Sequence, residues 1–329
     1  MNLRGFVRLF THMQLLPILE NGEETTLVGG QAVMEGVMMR SPQSYCVAVR
    51  KLTGEIVTEE SPLPRLSDQY RIFRWPVLRG LGTLGQAMWL GMKALRFSAN
   101  CALEGSTPQE EKTGKKERAS WGMGLNILFS LAFFIGLYKF VPLYLATLLG
   151  RAIPAVGSRL AINMVDGILR IAIFLGFLYL LSRMKDIHRV FEYHGAEHRV
   201  VFNFESGQPV NVENAQRFVT WHPRCGTSFL MVVMVISMIF YAFLPFDSFW
   251  LKFVSRIALL PVIAGVSYEL IRFAAKRQRG LMAILTRPGL WLQRVTTQPP
   301  SNEQTEVAIH ALERAMELEH AQGGVLVIA

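Results

Sequence analysis

Four stretches of the chain are apolar with little polar interruption, near Leu125–Leu149, Ala161–Leu181, Gly226–Phe246 and Leu251–Phe273. Each comes close to the ~20 residues that a helix rising 1.5 Å per residue needs to cross a hydrocarbon layer about 30 Å thick. Lipid offers backbone groups no hydrogen-bonding partner, so helices that satisfy their own are expected for all four. Lys139 and Pro142 interrupt the first run, which predicts a kink there. A fifth stretch, Val77 to Leu103, follows another rule: Leu81, Leu84, Met88, Met92 and Leu95 recur at helical spacing with Lys93 and Arg96 among them. That is the pattern of an amphipathic helix lying at a membrane interface. At the N-terminus Leu3, Phe6, Val7, Phe10 and Met13 share one helical face, while Arg4, Arg8 and His12 break up the apolar stretch and no small-residue cleavage site follows. An interfacial anchor fits this better than a signal peptide.

Elsewhere the period changes. Between Thr25 and Ser61 it becomes extended, and Tyr45–Leu52 and Ile56–Glu59 flank Thr53-Gly54 as the arms of a β-hairpin. The glycines of the preceding run, Gly29 to Arg40, match neither a dinucleotide fingerprint nor a phosphate loop and read as tight backbone turns. Glu104 to Ser120 is rich in Glu and Lys, a solvated linker. The loop from Arg183 to Arg224 is long enough for its own structure, with a short strand expected over Arg199–Phe204 and a short helix over Glu213–Val219. Ser301 with Gln304 three residues on forms a capping-box pattern at the start of a final helix. Ile309, Leu312, Ala315 and Met316 give that helix one apolar face, for packing on the cytoplasmic domain or, as the alternative, for a partner.

Composition sharpens this picture. Of 329 residues 51% are apolar and 18% charged, too apolar for an ordinary soluble surface. The excess of 34 basic over 25 acidic residues gives +9, which suits anionic lipid headgroups, and no basic cluster interleaved with aromatics marks a nucleic-acid surface. Three cysteines without framework spacing argue against structural disulfides. Fifteen of the 34 Lys and Arg lie in residues 1–120, six in 183–225 and seven in 272–329, so the positive-inside bias puts both termini and the central loop in the cytoplasm.

The expected fold is therefore an α-helical integral membrane protein of about four transmembrane helices with a small α+β cytoplasmic domain, multi-pass with both termini cytoplasmic. Its parts are an interfacial helix over 1–24, the hairpin region and amphipathic helix over 25–103, and a linker over 104–120. Helices one and two span 121–182, the cytoplasmic loop 183–225, helices three and four 226–273, and the tail with its amphipathic helix 274–329.

Candidate chemistry is concentrated in the central loop. His194-Gly195-Ala196-Glu197-His198 is followed, after 23 residues, by His222-Pro223-Arg224-Cys225. On a helix, His194 and His198 lie one turn apart on a common face, as two imidazoles sharing a metal must. The order H-x-x-E-H is that of inverted zinc hydrolases, with Glu197 as general base. His222 and Cys225 have the gap of a zinc knuckle. The metal set expected is His194, His198, His222 and Cys225 around Zn²⁺, with Glu197 the catalytic candidate. Three ligands would leave a position open for chemistry and four would close it. The plainer readings are hydrogen-bonded surface histidines, and Cys225 as a small apolar residue. Gly195 within the helix would cost roughly 1 kcal/mol. In the second span Asp166 and Arg170, four apart, read as a self-neutralising pair. Glu269, near the cytoplasmic end of the fourth span, could join or support the metal site, snorkel to water, or pair with Arg272.

Gly29–Arg40, Phe73–Gly80, Tyr193–His198, His222–Phe229 and Pro261–Leu270 together resemble the YqhQ-like family of bacterial membrane proteins, from about Thr25 into the terminal helix. The resemblance implies a domain of unknown function sometimes labelled a metal-dependent enzyme, a label resting on the same His, Glu and Cys residues. Two roles follow: a membrane-anchored metal-dependent hydrolase acting on a peptide or lipid, or a non-catalytic assembly or biogenesis partner of another membrane protein with a structural zinc knot. A transporter ranks third. Membrane lipids are expected partners and nucleic acid is not.

Overall fold

The computed structural model describes residues 28–64, 69–104, 125, 128–222, 225–276 and 281–322. The interfacial helix expected over 1–24, and the expected linker beyond Glu104, lie outside them. Four antiparallel strands form a meander, β1 (Gly29–Val33), β2 (Gly36–Arg40), β3 (Ser44–Arg50) and β4 (Ile56–Pro62), in the order β1-β2-β3-β4. The β3–β4 hairpin turns at Thr53-Gly54, where the sequence pattern puts it. The glycine run is itself a hairpin, β1 pairing with β2 from Gly29 opposite Arg40 to Val33 opposite Gly36.

Period-two alternation sorts the strand residues onto two buried faces. Val37, Met39, Cys46 and Ala48 face a core shared with α4 (Lys185–Glu205) and α10 (Asn302–Ala321). Val33, Met38, Tyr45, Val47 and Val49 face Leu90, Ala94 and Cys101 of α1 (Leu78–Glu104). A sheet covered on both faces explains why β3 is an almost unbroken apolar run. The outer face of α1 leaves Met88, Trp89, Met92 and Leu95 exposed, consistent with the expected interfacial helix. α10 begins with the full capping box, Ser301 accepting from the Gln304 amide and Gln304 from the Ser301 amide.

The strand expected over Arg199–Phe204 is instead the last part of α4. Val200, Val201 and Phe202 favour extended structure locally. Within α4, Val200 and Val201 extend the buried face begun by Tyr193 and Ala196, and burial against the sheet and α10 overrides the local preference. A short helix, α5 (Val212–Gln216), follows, capped by Asn211.

The apolar remainder is a helical bundle. α2 (Leu128–Ala152) and α3 (Arg159–Ser182) are each long and apolar enough to cross a membrane. In place of a simple kink, α2 carries a π-helical segment over Gly136–Phe140, which turns Lys139 into the interior. The third apolar run gives only α6 (Gly226–Ala242), 17 residues or about 25 Å at 1.5 Å per residue. The fourth is broken into α7 (Phe249–Ala258) and α8 (Leu260–Lys276), bent by 48°. Pro261 explains the break, since it can neither donate to the carbonyl four residues back nor avoid it. The described residues thus contain two helices that could cross a membrane by length and composition, or three if the bent pair counts as one. α9 (Leu281–Thr296) packs on α6, where Gly289 lies against Ser228, and leads into α10.

Candidate metal centre

α4 carries His194 and His198 one turn apart on a single face, their ring centroids 4.5 Å from each other. Each ring is fixed by its Nδ1. His194 Nδ1 lies 2.8 Å from the Thr296 carbonyl oxygen at the end of α9, and His198 Nδ1 is hydrogen-bonded to the Thr220 carbonyl. A carbonyl can only accept, so both Nδ1 atoms carry the proton and both Nε2 lone pairs are left for another partner. This tautomer and support are typical of imidazoles that bind metal through Nε2.

Cys225 caps the N-terminus of α6, its sulfur accepting from the Thr227 amide at 3.5 Å. It places Sγ 3.3 Å from His194 Nε2, and ligand atoms of His194, His198 and Cys225 all lie within 4.8 Å of one another. Gln293 of α9 braces the turn before Cys225. It accepts from the His222 amide at 2.7 Å and donates to the His222 carbonyl at 2.8 Å and to Ser228 Oγ at 2.9 Å.

The fourth candidate stays close to that group without joining it: the His222 ring centroid is 5.7 Å from that of His198, and His222 lines the same pocket. His222 is buried beside Phe202 with its Nε2 3.5 Å from Glu205 Oε2, outside the His194, His198 and Cys225 group. Burial pushes its pKa down to about 4, against a smaller pull upward from Glu197. Burial likewise lowers His198. Glu197 stands beside both rings, with Oε2 3.8 Å from His194 Nε2 and 3.9 Å from His198 Nε2. Its carboxyl is pushed above the usual range chiefly by burial, opposed by His194, His222 and the Gly30 amide. A Cβ at Gly30 would stand 2.8 Å from Glu197 Cγ, so only glycine lets β1 close over this carboxylate. Gly195 is explained the same way: a Cβ there would collide with the Gln298 carbonyl, and the Gln298 amide bonds to Phe191 O at 2.9 Å. The helix gives up propensity at Gly195 so that the α9–α10 connection can approach.

A pocket of about 470 Å³ opens beside the group, lined by Glu197, His194, His198 and Cys225 together with Val28, Gln31, Phe191 and Leu230. Its walls mix apolar side chains with β1 backbone. Sequence spacing did not point to Gly30, Thr220, Gln293 or Thr296. Each acts through a backbone group or a long-range contact, and only the unusual glycine in a helical H-G-A-E-H run was a local signal. Glu269 is not part of the site. It is ion-paired with Arg79 at the start of α1, Arg79 Nε donating at 2.6 Å, and so ties α8 to α1 in preference to Arg272.

The profile of a family described as protein of unknown function, DUF1385, matches residues 75–318. The uncharacterized protein YqhQ of Bacillus subtilis (strain 168) is 36% identical over 301 residues, covering 88% of this chain and 92% of its own. No solved structure matches the chain.

Proposed function

The chain belongs to the DUF1385 family of proteins of unknown function, and from the site it carries we propose a membrane-bound, metal-dependent hydrolase. His194, His198 and Cys225 would hold the ion, and two imidazoles with one sulfur suit Zn²⁺. Bound there, zinc would supply Lewis-acid polarisation of the scissile group. Glu197 takes the proton of the attacking water and returns it to the leaving group, a task suited to a carboxyl that burial holds above the usual carboxylate range. The carbonyls of Thr220 and Thr296 keep both rings in the ligating tautomer. The partly apolar pocket receives a lipid or an extended peptide segment at the cytoplasmic membrane face.

The observation that carries this reading is the three-donor group with a buried carboxylate beside it and a pocket in front, since three protein ligands leave a coordination position free. A structural knot is the second reading, favoured by the same closeness of Glu197 to both nitrogens, which would let its oxygen serve as fourth donor. Metal analysis of the purified protein separates them. In the hydrolase, wild type and Glu197→Gln each hold about one zinc, His194→Ala and Cys225→Ala lose it, and Glu197→Gln fails to complement a deletion strain. In the knot, Glu197→Gln loses metal. Metal-free wild-type protein, purified without chelator, would overturn both.

For the setting we propose a multi-pass protein of a bacterial cytoplasmic membrane, with α2, α3, α6 and the α7–α8 pair in lipid and both termini cytoplasmic. The Lys and Arg distribution and the apolar exposed faces of these helices support this.

A further inference from the structure

Far from the His/Cys group, charged side chains meet inside the apolar bundle. Asp166 of α3 is 1% exposed and ion-paired with Arg170 one turn on, and with Arg256 of α7 at 2.9 Å. Arg256 Nη2 donates to Asn163 Oδ1 at 2.6 Å, and Arg170 Nη1 to Ser237 Oγ at 2.9 Å. Lys139, carried inward by the π-helical segment, donates to the Tyr241 hydroxyl at 3.0 Å. All three cations stand over the Tyr241 ring, at 5.2, 5.0 and 4.9 Å from its centroid. What reads in sequence as a neutral pair is therefore a cluster of three basic groups and one acid, a formal 3 − 1 = +2 with Lys139 protonated.

Structural duty does not account for that balance. Burying a charge is costly unless it is matched, by several kcal/mol per ion. Guanidinium groups do not escape by losing a proton. The Nε–H groups of both Arg170 and Arg256, fully buried, find no acceptor among the described residues. Lys252, one turn before Arg256, adds a further nearly buried cation on the same helix.

We propose that this cluster is a binding site for a compact, doubly charged oxyanion: phosphate, or the phosphomonoester group of a lipid. With Lys139 protonated, the two uncompensated charges match a dianion, whose own charge favours that protonation. The unused Nε–H edges match an oxyanion that accepts several directed hydrogen bonds, which a halide or a single carboxylate serves less well. Tyr241 lies at the opposite end of α6 from Cys225, about 24 Å along the axis, so the site is separate from the proposed metal centre and does not depend on it.

Thermal unfolding of the full chain tests this. In detergent, inorganic phosphate is compared with chloride and acetate at constant ionic strength. In phosphatidylcholine nanodiscs, phosphatidic acid, a phosphomonoester, is compared with phosphatidylglycerol, a phosphodiester. The expected result is a saturable rise of several degrees with phosphate, with phosphatidic acid, or with both. Response to phosphate identifies a free anion, and response to phosphatidic acid alone identifies a lipid headgroup. Lys139→Met and Arg170→Gln should each weaken the response at least tenfold, while Arg314→Gln, on the exposed side of α10, leaves it intact. Should Arg170→Gln fail to fold, Lys139→Met decides. No saturable rise with either probe, an equal rise with acetate or phosphatidylglycerol, or an unchanged response in Lys139→Met would overturn the site.

Discussion

Gly30 directs its amide at the Glu197 carboxylate, and a methyl group there would lie 2.5 Å from the Met38 carbonyl oxygen as well as 2.8 Å from Glu197 Cγ. Neither neighbour is the loose end of a side chain, so Gly30→Ala must shift β1 or α4. A loss of about 1–3 kcal/mol is expected, seen as a fall of several degrees in the unfolding temperature, with the proposed hydrolase function falling in parallel as Glu197 is displaced. His222 has a different signature. Its folded pKa is depressed to about 4, so below about 6.5 the unfolded chain takes up a proton that the folded one refuses. Its contribution is full above that value and lost as pH falls from about 6.5 to 4, up to roughly 3 kcal/mol. Glu197, shifted upward, works in the opposite sense at higher pH. Unfolding of metal-stripped wild type and His222→Gln between pH 7.5 and 4.5 should show a steeper acid-side loss in wild type, the loss left in the variant coming from His198. Equal slopes would remove His222 as its source.

At the scale of the element, Gly195 provides a reversal of sign. On an isolated helix Gly→Ala is worth about 1 kcal/mol of stability. Here the added methyl meets the Gln298 carbonyl, so Gly195→Ala should destabilise the protein and release the Thr296 support of His194. Circular dichroism melts together with zinc retention would register both effects, and a more stable Gly195→Ala protein would contradict the packing. Ser301→Ala removes half of the capping box of α10 and is expected to cost about 1 kcal/mol. Because α10 covers the sheet, the loss should appear in the main unfolding transition and not as local fraying.

Features set by neighbours in sequence were legible before any coordinates: the amphipathic α1, the β3–β4 hairpin, the capping box and the helical face shared by His194 and His198. Features set by distant contacts were not. The strand expected at Arg199–Phe204 became helix because the sheet and α10 bury its valines. Asp166 and Arg170 looked neutral because Lys139 and Arg256 arrive from other helices. His222 and Cys225, three positions apart, take different partners: Cys225, which opens a helix, joins His194 and His198, while His222, its backbone held by Gln293, turns its Nε2 to Glu205 with its ring 5.7 Å from that of His198.

The molecule as a whole ties its ends together. The N-terminal sheet is covered by α4 from mid-chain and by α10 from the end, so residues 28–62, 185–205 and 302–321 form one body. A body cannot sit on both sides of a bilayer. In the proposed bilayer setting, the excursion through α2 and α3, and that through α6 to α8, would each return to the side it left. Reporter fusions after Arg151 and after Glu205 are expected to report from outside and inside respectively. An outside signal after Glu205 would contradict both this topology and the compartment of the proposed site.

That closure has a consequence for biogenesis. The strands end at Pro62, and the helix that completes their core begins at Asn302, 302 − 62 = 240 residues later. At about 5–20 residues per second, a ribosome needs on the order of ten to fifty seconds to cover that distance. Throughout it Val37, Met39, Cys46 and Ala48 lack the cover that α10 provides, while every apolar helix is being made. A nascent chain stalled before residue 302 is thus left with its apolar helices made and the body around the sheet unfinished.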